Sequence, residues 1–117
     1  IRDRHYSESS EIRLPLLWIG LLYGKVDLSL AATTGVQSAI EVIKYILAGA
    51  DVVMTASSLY KNGIPYLKTM NKELQDWMYM MGFESLNSFK GSMSQQHISD
   101  PTAYERSNYI KILEGVK

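Results

Sequence analysis

The apolar positions fall into blocks of different period, and each period predicts its own element. Leu14 to Tyr23, LPLLWIGLLY, is apolar on nearly every side and stops at Gly24, with Pro15 where a first helical turn tolerates it. It predicts a helix, preceded by a solvated loop over residues 1–13 in which Ser9 or Ser10 stands ready to cap. Leu28 to Ala32 is a short apolar run suited to an interior parallel strand. Thr33, Thr34 and Gly35 then turn the chain. Ser38 and Glu41 form a Ser-x-x-Glu capping box. Behind it Ala39, Val42, Ile43, Ile46 and Leu47 recur at helical spacing, with Glu41, Lys44 and Tyr45 elsewhere on the wheel. Gly49 ends that helix, and Asp51 to Thr55, DVVMT, reads as a second strand buried on both faces. A helix between two such strands predicts a crossover and a parallel pair.

The pattern continues with a small-residue loop through Ser57 and Ser58 and a turn at Asn62-Gly63. Pro65 opens a long helix to about Met81, striped by Leu67, Met70, Leu74, Trp77, Met78 and Met81 and ended by Gly82. Ser85 caps a short turn carrying Leu86 and Phe89. Residues 91–99 read as polar loop, and Asp100-Pro101 starts a final helix through Tyr104, Ile110 and Leu113. The first apolar helix has two readings, a core helix or one that faces a partner or membrane surface. The run falls short of the ~20 residues that span a bilayer, and with no polar face opposite an apolar one, core is preferred.

Composition narrows the function classes. The chain has 117 residues, with 12 Lys plus Arg against 12 Asp plus Glu and a formal net charge of zero. No basic run occurs, so an electrostatic nucleic-acid footprint is not expected. The absence of cysteine removes thiolate nucleophiles, thiolate metal sites and disulfides, and fits a reducing, cytoplasmic compartment. The start IRDRHYSESSEIR has no apolar signal-peptide core and no initiator Met, which suggests a piece of something longer.

Catalytic candidates are few. His5 and His97 sit in polar stretches without partners at metal spacing, and Ser57 and Ser58 lack a Gly-x-Ser-x-Gly setting. Gly24-Lys25 lacks P-loop spacing. Asp51, at the start of a strand, suits tuning of the helix-strand turn better than base catalysis. No catalytic or metal-binding residue is therefore assigned. Two loops remain, Thr33-Thr34-Gly35 and Thr55-Ala56-Ser57, side by side at the carboxyl ends of two parallel strands. Their small residues suit close approach of backbone N–H groups to a phosphate, and equally suit plain close packing.

GVQSAIEVIKYILAGA (residues 35–50) followed by DVVMTASSLYKNG resembles the carboxyl-terminal part of dihydroorotate dehydrogenases, and NKELQDWMYMMGFESLNSFKGSMS resembles their tail. The resemblance covers residues 28–94, while the flanks look like a divergent dihydroorotate dehydrogenase-like branch. It implies an α/β fold, a partial TIM (β/α)8 barrel comprising the last two parallel strands with their helices, plus a helical carboxyl-terminal extension. By that resemblance residues 14–94 are the barrel segment and residues 95–117 a helical tail of one partial domain. It also implies FMN as cofactor, with its phosphate held after strands seven and eight. Carried over by position, the family's Gly-Gly falls on Thr34 and Gly35 and its Gly-Thr on Ala56 and Ser57, with Thr33 beside them. Thr34 places a β-branched side chain where the family has a bare backbone.

The family's flavin-ring, orotate and base residues all precede this segment. The expectation is a fragment that supplies the FMN phosphate loops of an oxidoreductase of pyrimidine biosynthesis, and that is inactive alone. Its expected partners are the rest of the barrel or another copy in a homo-oligomer, with a small-molecule substrate in the parent protein. The alternatives are a non-catalytic, self-associating fragment and a non-redox barrel that binds a phosphorylated metabolite.

Overall fold

The computed structural model describes residues 9–95. His5, His97 and the helix expected from Asp100-Pro101 lie outside the described residues. A 3-10 turn, Ser9–Ile12, leads directly into α1, Arg13–Leu22, in place of an uninterrupted loop up to residue 13. Then come β1 (Ala31–Ala32), α2 (Ala39–Ala48), β2 (Val52–Val53), α3 (Ser57–Asn62) and α4 (Tyr66–Met81). A further 3-10 turn spans Leu86–Ser88, with Ser85 at its N-cap as the sequence predicts. The two strands pair in parallel, Ala31 with Val52 and Ala32 with Val53. Helices packed around a parallel pair make this an α/β arrangement.

The strands are shorter and far less covered than their apolar sequences suggest. Regular pairing is confined to two residues on each strand, extended by bonds from the Asp51 and Val52 N–H groups to the Leu30 carbonyl and from the Met54 N–H to that of Ala32. Ala32 is buried, but Val52 is 54% and Met54 50% exposed, and Leu28 is 78% exposed. One side of the pair packs on helices; on the other, nothing among the described residues covers it. Burial on both faces is thus corrected to burial on one.

Helix α2 is the hub of the core. Its capping box forms, with the Ser38 N–H donating to Glu41 Oε1 at 2.8 Å, and Gly49 closes the other end at φ 131°. The buried face is wider than the expected stripe. Ile43 and Ile46 are buried as predicted, but so is Glu41, and Tyr45 has no exposed surface at all. The phenol of Tyr45 reaches across to the loop after β1, so its apolar ring fills the core while its hydroxyl finds a polar partner.

The outer helices are half-open. Leu17 and Ile19 of α1 are buried while Leu14 and Trp18 are about half exposed, which leaves the core reading true of one face only. In α4 only Met70 is fully buried, and Leu67 and Met81 at its ends are 45% and 55% exposed. Toward its carboxyl end Trp77, Phe83 and Phe89 form an aromatic cluster, with ring centroids 5.0 to 5.7 Å apart. Through Phe89 this cluster anchors the segment after α4 to the body of the fold.

That segment returns as a strap to the amino ends of the strands. The N–H groups of Gly91 and Met93 donate to the carbonyls of Ile46 and Leu47 at the end of α2, at 2.9 and 2.8 Å. Lys90 Nζ donates to Asp51 Oδ1 at 2.6 Å, and Asp51 Oδ2 accepts the Leu30 N–H at 2.7 Å. Lys25 donates to the Gln95 side chain. The Tyr23 ring lies along this seam. A Cβ on Gly49 would stand 2.5 Å from the ring near its root, and one on Gly91 2.4 Å from its phenolic end. Both positions therefore require glycine for close approach.

Candidate functional site

The two small-residue loops do meet at the carboxyl ends of β1 and β2. Thr55 Oγ1 donates to the Val36 carbonyl at 2.8 Å, and Gln37 Nε2 donates to Ser57 Oγ at 2.7 Å. The second loop is shorter than the sequence suggests. Ser57 and Ser58 form the first turn of α3, where both are buried, and only Thr55 and Ala56 remain as loop. The reason lies in local bonding. Thr55 Oγ1 and Ser58 Oγ are 2.7 Å apart, and the Ala56 carbonyl accepts the N–H groups of Leu59 and Tyr60, which winds the chain into a helical turn.

The first loop is built from the inside by side chains. Tyr45 Oη lies 2.8 Å from the Thr33 carbonyl and 2.7 Å from that of Thr34, so one phenolic proton is shared between them. Thr55 takes the Val36 carbonyl, and Tyr66 Oη donates to that of Gln37 at 2.9 Å. Four of the five carbonyls from Thr33 to Gln37 thus point at internal donors. Thr34 has φ 83° and Gly35 φ 78°, and Thr34 is the one described non-glycine residue with positive φ. A β-branched side chain resists this region, so the surroundings must hold it there.

Opposite orientation follows for the N–H groups. In a trans peptide the C=O and N–H point in opposite directions, and no cis peptide occurs among the described residues. With the carbonyls of Thr33 and Thr34 turned toward Tyr45, the N–H groups of Thr34 and Gly35 are turned away from it. Two donors further along, those of Gln37 and Ser38, are already engaged. Glu41 Oε1 accepts the N–H of Ser38 at 2.8 Å and of Gln37 at 3.3 Å, so α2 caps its amino end with its own carboxylate. Burial pushes the Tyr45 hydroxyl up to about 12, which keeps it a donor throughout the neutral range.

Thr34 and Gly35 offer backbone N–H groups in the conformation that glycine would adopt, and Ala56 is exposed beside them. Ser57 Oγ is drawn inward by Gln37, so its hydroxyl is less available than expected. Among the described residues no group of three or more His, Cys, Asp or Glu is placed to hold a metal ion. Asp51 lies at the opposite, amino ends of the strands. Its hydrogen bond from Lys90 and then that from the Leu30 N–H hold its carboxyl below the usual range, against an opposing effect of burial that exceeds the added pull of the Lys90 charge.

No family model matches the chain. Curated proteins do. It is 28% identical over 68 residues to a dihydroorotate dehydrogenase (fumarate) of Saccharomyces mikatae, covering 58% of this chain and 22% of that one. It is 32% identical over 67 residues to a putative dihydroorotate dehydrogenase A (fumarate) of Streptococcus equi, covering 57% and 22%. Over somewhat more than half of its length, the chain is thus similar to dihydroorotate dehydrogenases. It is also 28% identical over 71 residues to a probable dihydroorotate dehydrogenase A (fumarate) of Enterococcus faecalis, covering 61% and 23%. The chain thus spans less than a quarter of the length of the dihydroorotate dehydrogenases it matches.

Tyr45 and Tyr66, which shape the loop, were not legible as site residues. A tyrosine in the second turn of the helix that follows a small-residue loop carries the signal, since a buried phenol needs a polar partner and the loop carbonyls are the nearest source.

Proposed function

We propose that this chain supplies the FMN phosphate-binding end of a dihydroorotate dehydrogenase-type flavoprotein, as the last two strand-and-helix units of a (β/α)8 barrel. The observation that carries the proposal is the backbone at Thr34 and Gly35. A threonine is held in a glycine-type conformation at the carboxyl end of a parallel strand, beside a second small-residue loop, where its N–H and that of the buried Gly35 are turned away from Tyr45. The resemblance to dihydroorotate dehydrogenases supports FMN as the cofactor for that geometry. Thr34, Gly35 and Ala56 would hold the phosphate through backbone N–H groups, with Ser57 and Thr33 closing the two loops around it. Bound flavin supplies the two-electron redox chemistry, and these residues position its tail. Dihydroorotate is the substrate by relationship, within pyrimidine biosynthesis.

The test uses the complete product of the reading frame that contains this chain. Purified protein is expected to show flavin absorption, or to gain it on addition of FMN. A folded, colourless product that ignores FMN overturns the proposal, and stabilisation of that product by other phosphate esters would favour a non-redox phosphate-binding barrel.

A second reading is favoured by the uncovered side of the strand pair. Exposed Leu28, Val52 and Met54 beside open strand edges suit self-association of the chain by itself. The two readings are compatible, since the same surface would meet further barrel strands in a longer protein.

A further inference from the structure

We propose that Tyr45 is the positioning residue of the phosphate loop: its buried hydroxyl, by turning the Thr33 and Thr34 carbonyls inward, aims the Thr34 and Gly35 N–H groups at the ligand's phosphate. This rests on the phosphate-site reading given above and adds to it the group that makes a non-glycine loop competent.

The argument is geometric. Where two glycines stood, the backbone would reach positive φ without help. Here the first of the two positions is Thr34, and a β-branched residue leaves the left-handed region unless it is held. Tyr45 is the holder. Its side chain has no exposed surface, its ring belongs to the core cluster, and its Oη lies within 2.8 Å of both carbonyls. Two successive carbonyls fixed on one side place two successive N–H groups on the other, which is the arrangement that receives an anion. The Gln37 and Ser38 N–H groups cannot substitute, because both already donate to Glu41.

FMN and riboflavin separate this role from general stability, because they differ only in the phosphate. Their dissociation constants for the complete product of the reading frame are measured by flavin fluorescence. The unaltered protein is expected to prefer FMN. Tyr45→Phe keeps the ring in the core and removes the hydroxyl, and is expected to lower that preference about fivefold to tenfold while leaving riboflavin affinity within about twofold. Combining Tyr45→Phe with Thr34→Gly lets the loop adopt positive φ unaided and is expected to restore most of the preference. Tyr45→Phe that keeps the full FMN preference overturns the positioning role alone. Equal loss of FMN and riboflavin affinity, or no rescue by Thr34→Gly, also overturns it, since a structural tyrosine would behave that way. An unaltered protein that binds flavin without preferring FMN overturns the phosphate site itself, and with it the role of Tyr45.

Discussion

Thr34 shows how one residue can record a compromise between stability and use. Left-handed backbone costs a non-glycine residue roughly 1–2 kcal/mol, and its β-branch makes relief harder. Replacing it by glycine removes that strain but adds freedom to the unfolded chain worth about 0.5–1 kcal/mol. The strain term is the larger, so Thr34→Gly is expected to stabilise the protein by roughly 0.5–1 kcal/mol, read as a higher midpoint in urea or thermal unfolding. A lower midpoint would mean that the threonine side chain makes a compensating contact. At this scale the sequence showed which residues were unusual without showing how they were held. Thr34 and Gly35 stood out as departures from and matches to a glycine pair. Tyr45 did not, because a tyrosine off the apolar stripe looks solvent-facing until the loop it reaches is in place.

Among the elements, α2 was the most legible and the strands the least. Its capping box and closing Gly49 are local signals, and local bonds decide them. The strands were drawn too long because apolar runs report burial, whereas ladder pairing needs neighbours that the described residues do not provide. The short helix α3 escaped notice since Ser57 and Ser58 read as loop formers, yet Thr55 and the Ala56 carbonyl wind them into a turn. The strap that joins α4 to the amino ends of the strands has its own acid limit. Asp51 is held below its ordinary value when folded, so its bond to Lys90 stabilises the fold fully above about pH 5 and is lost as pH falls through the lower folded value. Asp51→Asn is therefore expected to reduce stability at neutral pH and to flatten the loss between about pH 5 and pH 2, in unfolding curves measured across that range. An unchanged acid limb would show that Lys90 and Asp51 contribute nothing to holding the strap. Both groups keep a quarter or more of their side-chain surface exposed, so the change should be modest.

For the molecule as a whole, the two ends of the strand pair do different work. The carboxyl ends carry the two small-residue loops, joined by Thr55 and Gln37, and the amino ends carry the strap that fastens the fold. Between them, the uncovered side with Leu28, Val52 and Met54 predicts that the chain alone associates with itself. Light scattering is expected to report a dimer or larger species that Val52→Lys shifts toward monomer, whereas a soluble monomer at high concentration would count against it. Among the described residues no helix is long and apolar enough to cross a membrane. The seam under Tyr23 fixes how far such assembly can disturb the rest. A tyrosine side chain has one length, and here its root and its tip each occupy the space of a missing Cβ on a different segment. It works as a key cut for two wards. Sliding the strap by a single residue would set Lys90 or Ser92 where Gly91 must be, so the back of the molecule has one setting while its open front is still free to choose a neighbour.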